Sequence, residues 1–208
     1  MPDTIKSQHP LVVSFVQTFA TDPALAVHEL VEQSGLPEDS VASMLFKTIE
    51  LDRTRLGEFL SAKKNAGLFR QFLVKYSFGG VRIDEALRIF LLSLRLPTEA
   101  NAGERLLVGF AVQWQEANAA VASFPADIAI QLVLAIMQLN VRQQPTTSSQ
   151  TAAVMTDITI VHQDALNPTS SFGSYGFGNQ AISVDDFIAA FRVHDPRCLV
   201  GDDLLEAL

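Results

Sequence analysis

The chain has one cysteine in 208 residues, Cys198, and only four histidines. A single thiol cannot form an internal disulfide, which fits a reducing, cytosolic setting. His162 and Asp164 have no third candidate ligand close by in the sequence. Since zinc sites need three or four protein ligands, we predict no metal site.

Basic residues are scarce too. The chain has 15 Lys and Arg against 23 Asp and Glu, which gives a formal net charge of −8. Binding to a nucleic-acid backbone requires clustered positive charge, and the sequence offers only short pairs such as Lys63-Lys64. The composition therefore argues against nucleic acid as a partner.

No hydrophobic run is long enough to cross a membrane. The longest apolar stretch, 128–139, is interrupted by Gln131 and Gln138 and falls short of the roughly 20 residues that a bilayer requires. The first residues are polar and lack the basic and apolar regions of a secretory signal. We predict no transmembrane segment.

Signatures of covalent catalysis are also missing. Gly173, Gly176 and Gly178 are not followed by the Gly-Lys-Ser/Thr sequence of a phosphate-binding loop. The sequence has no Gly-x-Ser-x-Gly elbow and no cysteine–histidine spacing of a known hydrolase family. We therefore expect no cofactor and no covalent chemistry in this chain.

Apolar residues at helical spacing, in contrast, are abundant. Hydrophobic residues make up 48% of the chain, and in 83–94 they recur at the intervals of one helix face. Similar patterns predict helices at 11–19, 23–33, 39–46, 51–61 and 66–76, after Pro97, at 128–140, and after the N-cap candidate Ser183. The sequence therefore predicts an all-α fold.

One long segment interrupts the helical pattern. Residues 141–180 are rich in Ser, Thr, Gln and Gly, and only 156–161 alternate in the manner of a strand. A loop of this length inside a compact domain is usually functional or disordered. We interpret the segment as an inserted loop and place the insertion itself at 141–161.

The most informative segment lies between two predicted helices. Residues 94–105 read Leu-Arg-Leu-Pro-Thr-Glu-Ala-Asn-Ala-Gly-Glu-Arg. They closely resemble the glutamate-finger loop of Sec7 domains, the exchange factors for ADP-ribosylation-factor GTPases, where the pattern is Phe-Arg-Leu-Pro-Gly-Glu-Ala followed by an acidic-Arg pair. Residues 51–60, 82–88 and 182–192 are similar to three further helices of that family, in the same order.

The resemblance covers 12–208 and leaves 1–11 as an N-terminal tail. It implies a right-handed superhelix of about ten helices with a long inserted loop. It also implies guanine nucleotide exchange, in vesicle transport, on a GDP-bound or nucleotide-free GTPase of the ADP-ribosylation-factor type. Stretches such as 57–59 are most similar to the large Golgi-associated class, which implies a cytoplasmic protein that is at most peripheral on Golgi membranes, through flanking regions.

By position, Glu99 corresponds to the finger glutamate. In the family this carboxylate reaches the nucleotide site of the GTPase, where it competes with the β-phosphate of GDP for a lysine and for space at Mg²⁺. The local alternative is that Glu99 only favours the dipole at the start of the next helix. The surrounding match favours the finger role.

A second family motif surrounds an apolar groove that grips the GTPase. Eight residues fall at or near its positions: Asp127, Ile130, Leu134, Met137, Gln138, Asn140, Asp164 and Asn167. The apolar members would equally suit the buried face of a helix, whereas Asp127 suits contact with a partner. In the family this motif is continuous, and here the insertion splits it.

Several positions depart from the family pattern. Thr98 replaces the loop glycine, Gly103 replaces a usual isoleucine, and Gln138 replaces a methionine. Leu134 and Ala135 stand where members sensitive to brefeldin A carry Tyr-Ser, which implies resistance to that inhibitor. Two alternatives stay open: a Sec7-like module that binds a GTPase or acts as a scaffold without exchange, and an unrelated helical scaffold.

Overall fold

The computed structural model describes residues 10–35, 37–143 and 183–207. Within these ranges the chain forms ten α-helices and one 3₁₀ helix, without a β-strand. The α-helices are α1 (Pro10–Thr21), α2 (Pro23–Ser34), α3 (Glu38–Lys47), α4 (Arg53–Ser61), α5 (Ala66–Val74), α6 (Ile83–Ser93), α7 (Ala100–Ala117), α8 (Ala126–Gln143), α9 (Val184–Arg192) and α10 (Asp202–Glu206). The 3₁₀ helix, Lys63–Asn65, precedes α5. The all-α prediction is confirmed.

The chain folds as two compact units. The first contains the residues up to Ser77 together with Phe90–Pro97, and the second contains Phe78–Ile89 and the residues from Thr98 onward. Helix α6 therefore contributes its first part to the second unit and its last turn to the first. None of the helices in the described ranges is long and apolar enough to span a bilayer.

Side-chain caps start the helices of the first unit where the sequence places an aspartate. The Asp22 carboxylate accepts from the amides of Ala24 and Leu25, both at 3.0 Å, at the start of α2. The Asp52 carboxylate accepts in the same way from two amides in the first turn of α4, at 2.8 and 2.9 Å. Each cap satisfies backbone donors that the first turn of a helix leaves without a partner.

Aromatic side chains fill the core of the first unit. Phe19 is fully buried on α1, with ring centroids 5.6 Å from Phe15 and 5.8 Å from Phe59. A second group, formed by rings from α3, α5 and α6 and the residue after α5, comprises Phe46, Phe69, Phe72, Tyr76 and Phe90. The Tyr76 hydroxyl shares a hydrogen bond with Ser93, and burial raises the pKa of Tyr76 to about 12. These contacts join α1 to α4, and join α3 to α5 and the last turn of α6.

The second unit is built around α7 and α8, which pack against each other. Asn118, just after α7, is buried and holds the turn that precedes α6. Its Nδ2 donates to the Phe78 carbonyl at 3.0 Å, and its Oδ1 accepts from the Gly80 amide at 2.7 Å. Gly80 has a φ of 73°, which glycine adopts without strain. The start of α6 is therefore fixed to the end of α7.

An ion pair closes the last part of the second unit. Asp195 is fully buried, and its carboxylate accepts from the Arg192 guanidinium at 2.8 Å and from the Leu199 and Val200 amides at 2.9 Å. Arg192 also donates to the Val200 carbonyl at 2.8 Å and pairs with Asp202, the first residue of α10. This network connects α9 to α10.

Some helices differ in extent from the sequence expectation. The helix predicted at 128–140 begins at Ala126 and runs to Gln143 as α8, so the backbone of 141–143 is helical. The reason is that the sequence has no proline or glycine until Pro145 to end it. The strand-like stretch 156–161 and the His162–Asp164 pair lie outside the described residues. Ser183 is confirmed as the N-cap of α9, because its Oγ accepts from the Asp186 amide at 3.1 Å.

Candidate functional site

Glu99 is the N-cap residue of α7 and is exposed to solvent. Its backbone is extended, with a φ of −72° and a ψ of 120°, and its carbonyl accepts from the amides of Ala102 and Gly103 at 3.1 and 3.0 Å. The carboxylate makes no hydrogen bond to the start of the helix. The main chain thus begins α7, and the side chain stays available for a molecule outside the chain.

The loop before Glu99, residues 94–98, contains both buried and exposed residues. Leu94 is 1% exposed and Pro97 is also buried, whereas Arg95 and Thr98 are exposed. Two buried apolar residues therefore anchor a segment of only five residues. Proline also restricts the backbone at 97, because its ring sets φ near −65°.

A close backbone contact holds this loop on α4. The Arg95 amide donates to the Arg53 carbonyl at 2.9 Å. One helical turn further on, a Cβ at Gly57 would lie 1.8 Å from the Arg95 carbonyl oxygen and 3.0 Å from its carbonyl carbon. This contact could not be predicted from the family resemblance of 57–59, since its only local signal in the sequence is a glycine inside a helix.

The predicted groove residues on α8 share one helix face but differ in exposure. Asp127 is exposed in the first turn, and Ile130 and Gln138 are half-buried. Leu134 and Met137 are only 5% and 8% exposed within the chain itself. Asp127, Ile130 and Gln138 therefore have surface that a partner can contact. Leu134 and Met137 lie at the edge of the core.

Three predicted positions lie wholly or partly outside the residues that the structure describes. Asn140 lies in α8, and only its backbone is described. Asp164 and Asn167 lie beyond the described residues. Glu99 and the α8 residues from 127 to 138 are in the same unit, on two helices that pack against each other.

The chemistry that this arrangement can perform is recognition and charge placement. In the described ranges no group of three or more His, Cys, Asp and Glu side chains could hold a metal ion. What the site offers instead is an exposed carboxylate at the start of α7 and, on the helix that packs against α7, one partly exposed face of polar and apolar residues. A fixed negative charge of this kind acts on another molecule by electrostatic repulsion or competition.

The chain also matches a known protein family. Residues 8–208 match the Sec7 domain family model. The chain is 33% identical over 143 residues to the brefeldin A-inhibited guanine nucleotide-exchange protein 1 of Bos taurus, which covers 66% of this chain and 8% of that protein. It spans 11% or less of the length of the first curated relatives that it matches.

Two solved structures are similar to the chain. The Sec7p catalytic domain has a TM-score of 0.71 at 23% identity, covering 98% of this chain and 94% of that one, and shows the fold. The structure of ARF1-GDP bound to a Sec7 domain complexed with brefeldin A has a TM-score of 0.60 at 26% identity, covering 66% of this chain and 71% of that one. Both agree with the helical architecture described above.

Proposed function

Because the chain belongs to the Sec7 domain family, as its sequence had indicated, we propose that it promotes GDP release from a small GTPase of the ADP-ribosylation-factor type, with Glu99 as the glutamate finger. The observation that carries the proposal is the exposed carboxylate of Glu99 at the end of an anchored loop. The relative from Bos taurus is named as a guanine nucleotide-exchange protein, and a solved Sec7 domain is bound to ARF1-GDP.

The proposed mechanism is electrostatic. Two like charges 4 Å apart at an effective dielectric constant of 20 repel by about 4 kcal/mol. A carboxylate brought next to the β-phosphate would weaken GDP binding by this kind of repulsion, and would also compete for the phosphate-binding lysine of the GTPase and for space at its Mg²⁺. Since Glu99 makes no cap hydrogen bond within the chain, none has to be broken first.

The face of α8 supplies the proposed grip on the GTPase. Asp127, Ile130 and Gln138 are exposed or half-buried, so they can touch a partner directly. Leu134 and Met137 would form the floor under that contact. The same proposal includes three polar residues of the split motif, Asn140, Asp164 and Asn167.

The domain boundaries and the cellular location are part of the proposal. We take residues 12–208 as a Sec7-like domain after a tail at 1–11, with an insertion at 141–161. Exchange factors for these GTPases serve vesicle transport, and one relative from Caenorhabditis elegans is named as Golgi-specific. A cytoplasmic protein that is peripheral on Golgi membranes fits both.

The deciding experiment measures the release of fluorescent GDP from a panel of ADP-ribosylation-factor-type GTPases with and without the chain. Faster release by at least one of them supports the proposal. GTPase binding without faster release would favour the scaffold alternative. The split second motif and the burial of Leu134 and Met137 are the observations that support this alternative. No binding at all would mean that the chain uses its fold for another purpose.

The chain should resist brefeldin A. Leu134 and Ala135 replace the Tyr-Ser pair of sensitive Sec7 domains, so the hydroxyl groups that could bond to the drug are missing. Each lost hydrogen bond costs about 0.5–1.5 kcal/mol, and two together weaken capture by roughly tenfold or more. The measurement is an exchange assay over a range of drug concentrations.

The matched comparison for the drug is the Leu134→Tyr, Ala135→Ser double variant. Both positions are buried, so the variant must first be shown to be folded and active. We expect it to gain sensitivity. Inhibition of the unmodified chain at low micromolar drug would contradict the prediction.

A further inference from the structure

We infer that Gly57 is a positioning residue for the proposed exchange reaction, because it lets α4 hold the loop from which Glu99 projects. The inference rests on the proposed role of Glu99. It concerns one contact, between the face of α4 at Arg53 and Gly57 and the backbone of Arg95. We call this contact the α4 seat.

The α4 seat is made of main-chain atoms on both sides. The Arg95 amide donates to the Arg53 carbonyl at 2.9 Å. A carbonyl oxygen has two lone pairs, so this bond can form beside a bond within the helix. The Asp52 cap fixes the turn that carries this carbonyl, since it accepts from the Thr54 and Arg55 amides.

Gly57 sets how closely the loop can approach. A Cβ at this position would be 1.8 Å from the Arg95 carbonyl oxygen, far inside van der Waals contact, and the group it meets is backbone rather than a flexible side chain. Glycine inside a helix costs about 1 kcal/mol against alanine, so its presence here is unfavourable for the helix alone. The close approach of the Arg95 backbone, which a Cβ would block, explains why glycine occupies this position despite that cost.

The chain between the seat and the carboxylate is short and constrained. Three residues, Leu96 to Thr98, separate Arg95 from Glu99, and Pro97 is both buried and restricted in φ. The backbone of residues 96–98 therefore has little conformational freedom with which to absorb a shift of the Arg95 carbonyl. Because a misplacement of about 1 Å in a reacting group can cost about a hundredfold in rate, the α4 seat acts on the reaction through Glu99.

The test compares Gly57→Ala with Gly67→Ala. Gly67 is an exposed glycine in the first turn of α5, so the same substitution there changes a helical glycine that has no part in the contact with Arg95. For Gly57→Ala we expect the GDP-release rate at saturating chain to fall about tenfold or more, with the chain concentration for half-maximal rate unchanged. Gly67→Ala should leave both values at those of the parent.

A second pair of variants acts on the same contact without adding bulk to α4. Arg95→Pro removes the amide donor, whereas Arg95→Ala keeps it and removes only an exposed side chain. We expect the saturating rate to fall further for the proline variant than for the alanine variant, because only the proline variant removes the hydrogen bond to the Arg53 carbonyl. If Gly57→Ala does not fold, this pair decides.

Two results would overturn the inference. One is a folded Gly57→Ala or Arg95→Pro variant that releases GDP as fast as the parent. The other is an equal loss of GTPase binding and saturating rate, because a merely structural role would weaken both. These are distinct from failure of the proposed function, in which the parent chain itself does not accelerate GDP release or Glu99→Lys is as active as the parent.

Discussion

Glu99→Lys is expected to abolish the acceleration of GDP release and to leave the fold intact. Reversing the charge replaces repulsion of the β-phosphate by attraction, and removing a repulsion of about 4 kcal/mol corresponds to about a thousandfold in rate. Glu99 is exposed and makes no cap hydrogen bond, so the free energy of unfolding should fall only by the dipole cost of replacing an acidic by a basic residue at a helix start, at most about 2 kcal/mol.

The control for this variant is Glu50→Lys. Glu50 is an exposed glutamate in the turn before α4, and its substitution makes the same change in net charge. GDP release and urea unfolding should be measured for both variants and the parent. A Glu99→Lys variant that releases GDP as fast as the parent would show that Glu99 is not the finger, whereas a stable complex of that variant with the GDP-bound GTPase would support the role.

Asp195→Ala should lower the free energy of unfolding by about 3–5 kcal/mol. The substitution leaves the half-buried Arg192 without its buried carboxylate partner and deprives the Leu199 and Val200 amides of their acceptor. A group that loses its partner while it stays away from water keeps the whole cost of desolvation. Urea unfolding followed by circular dichroism measures the change.

Asp185→Ala is the matched control for the buried ion pair. Asp185 is exposed in the first turn of α9, where an acidic residue favours the helix dipole by about 0.3–1 kcal/mol. We expect its removal to cost no more than that. If the two alanine variants unfold at the same urea concentration, the buried pair does not stabilise the fold as the structure indicates.

The local part of the fold could be predicted from the sequence, because helix periodicity and capping act over a few residues. The apolar spacing of 83–94 predicted a helix that the structure has as α6, and Ser183 was correctly taken as an N-cap. The position of Glu99 before a helix could also be read from the spacing of the motif around it. The end of α8 was predicted too early, since an end without a proline or glycine has a weak local signal.

What the sequence by itself determined is thus helices α1 to α9, most of their starts, and the identity of the candidate finger. Only the tertiary structure decided which residues of a helix face meet the core, as Leu134 and Met137 do, and which stay at the surface. It alone brought Gly57 against the Arg95 carbonyl and buried Asp195 with Arg192. The physical reason is that periodicity selects a face of a helix, whereas burial, close approach and ion pairing depend on what a distant part of the chain places against that face.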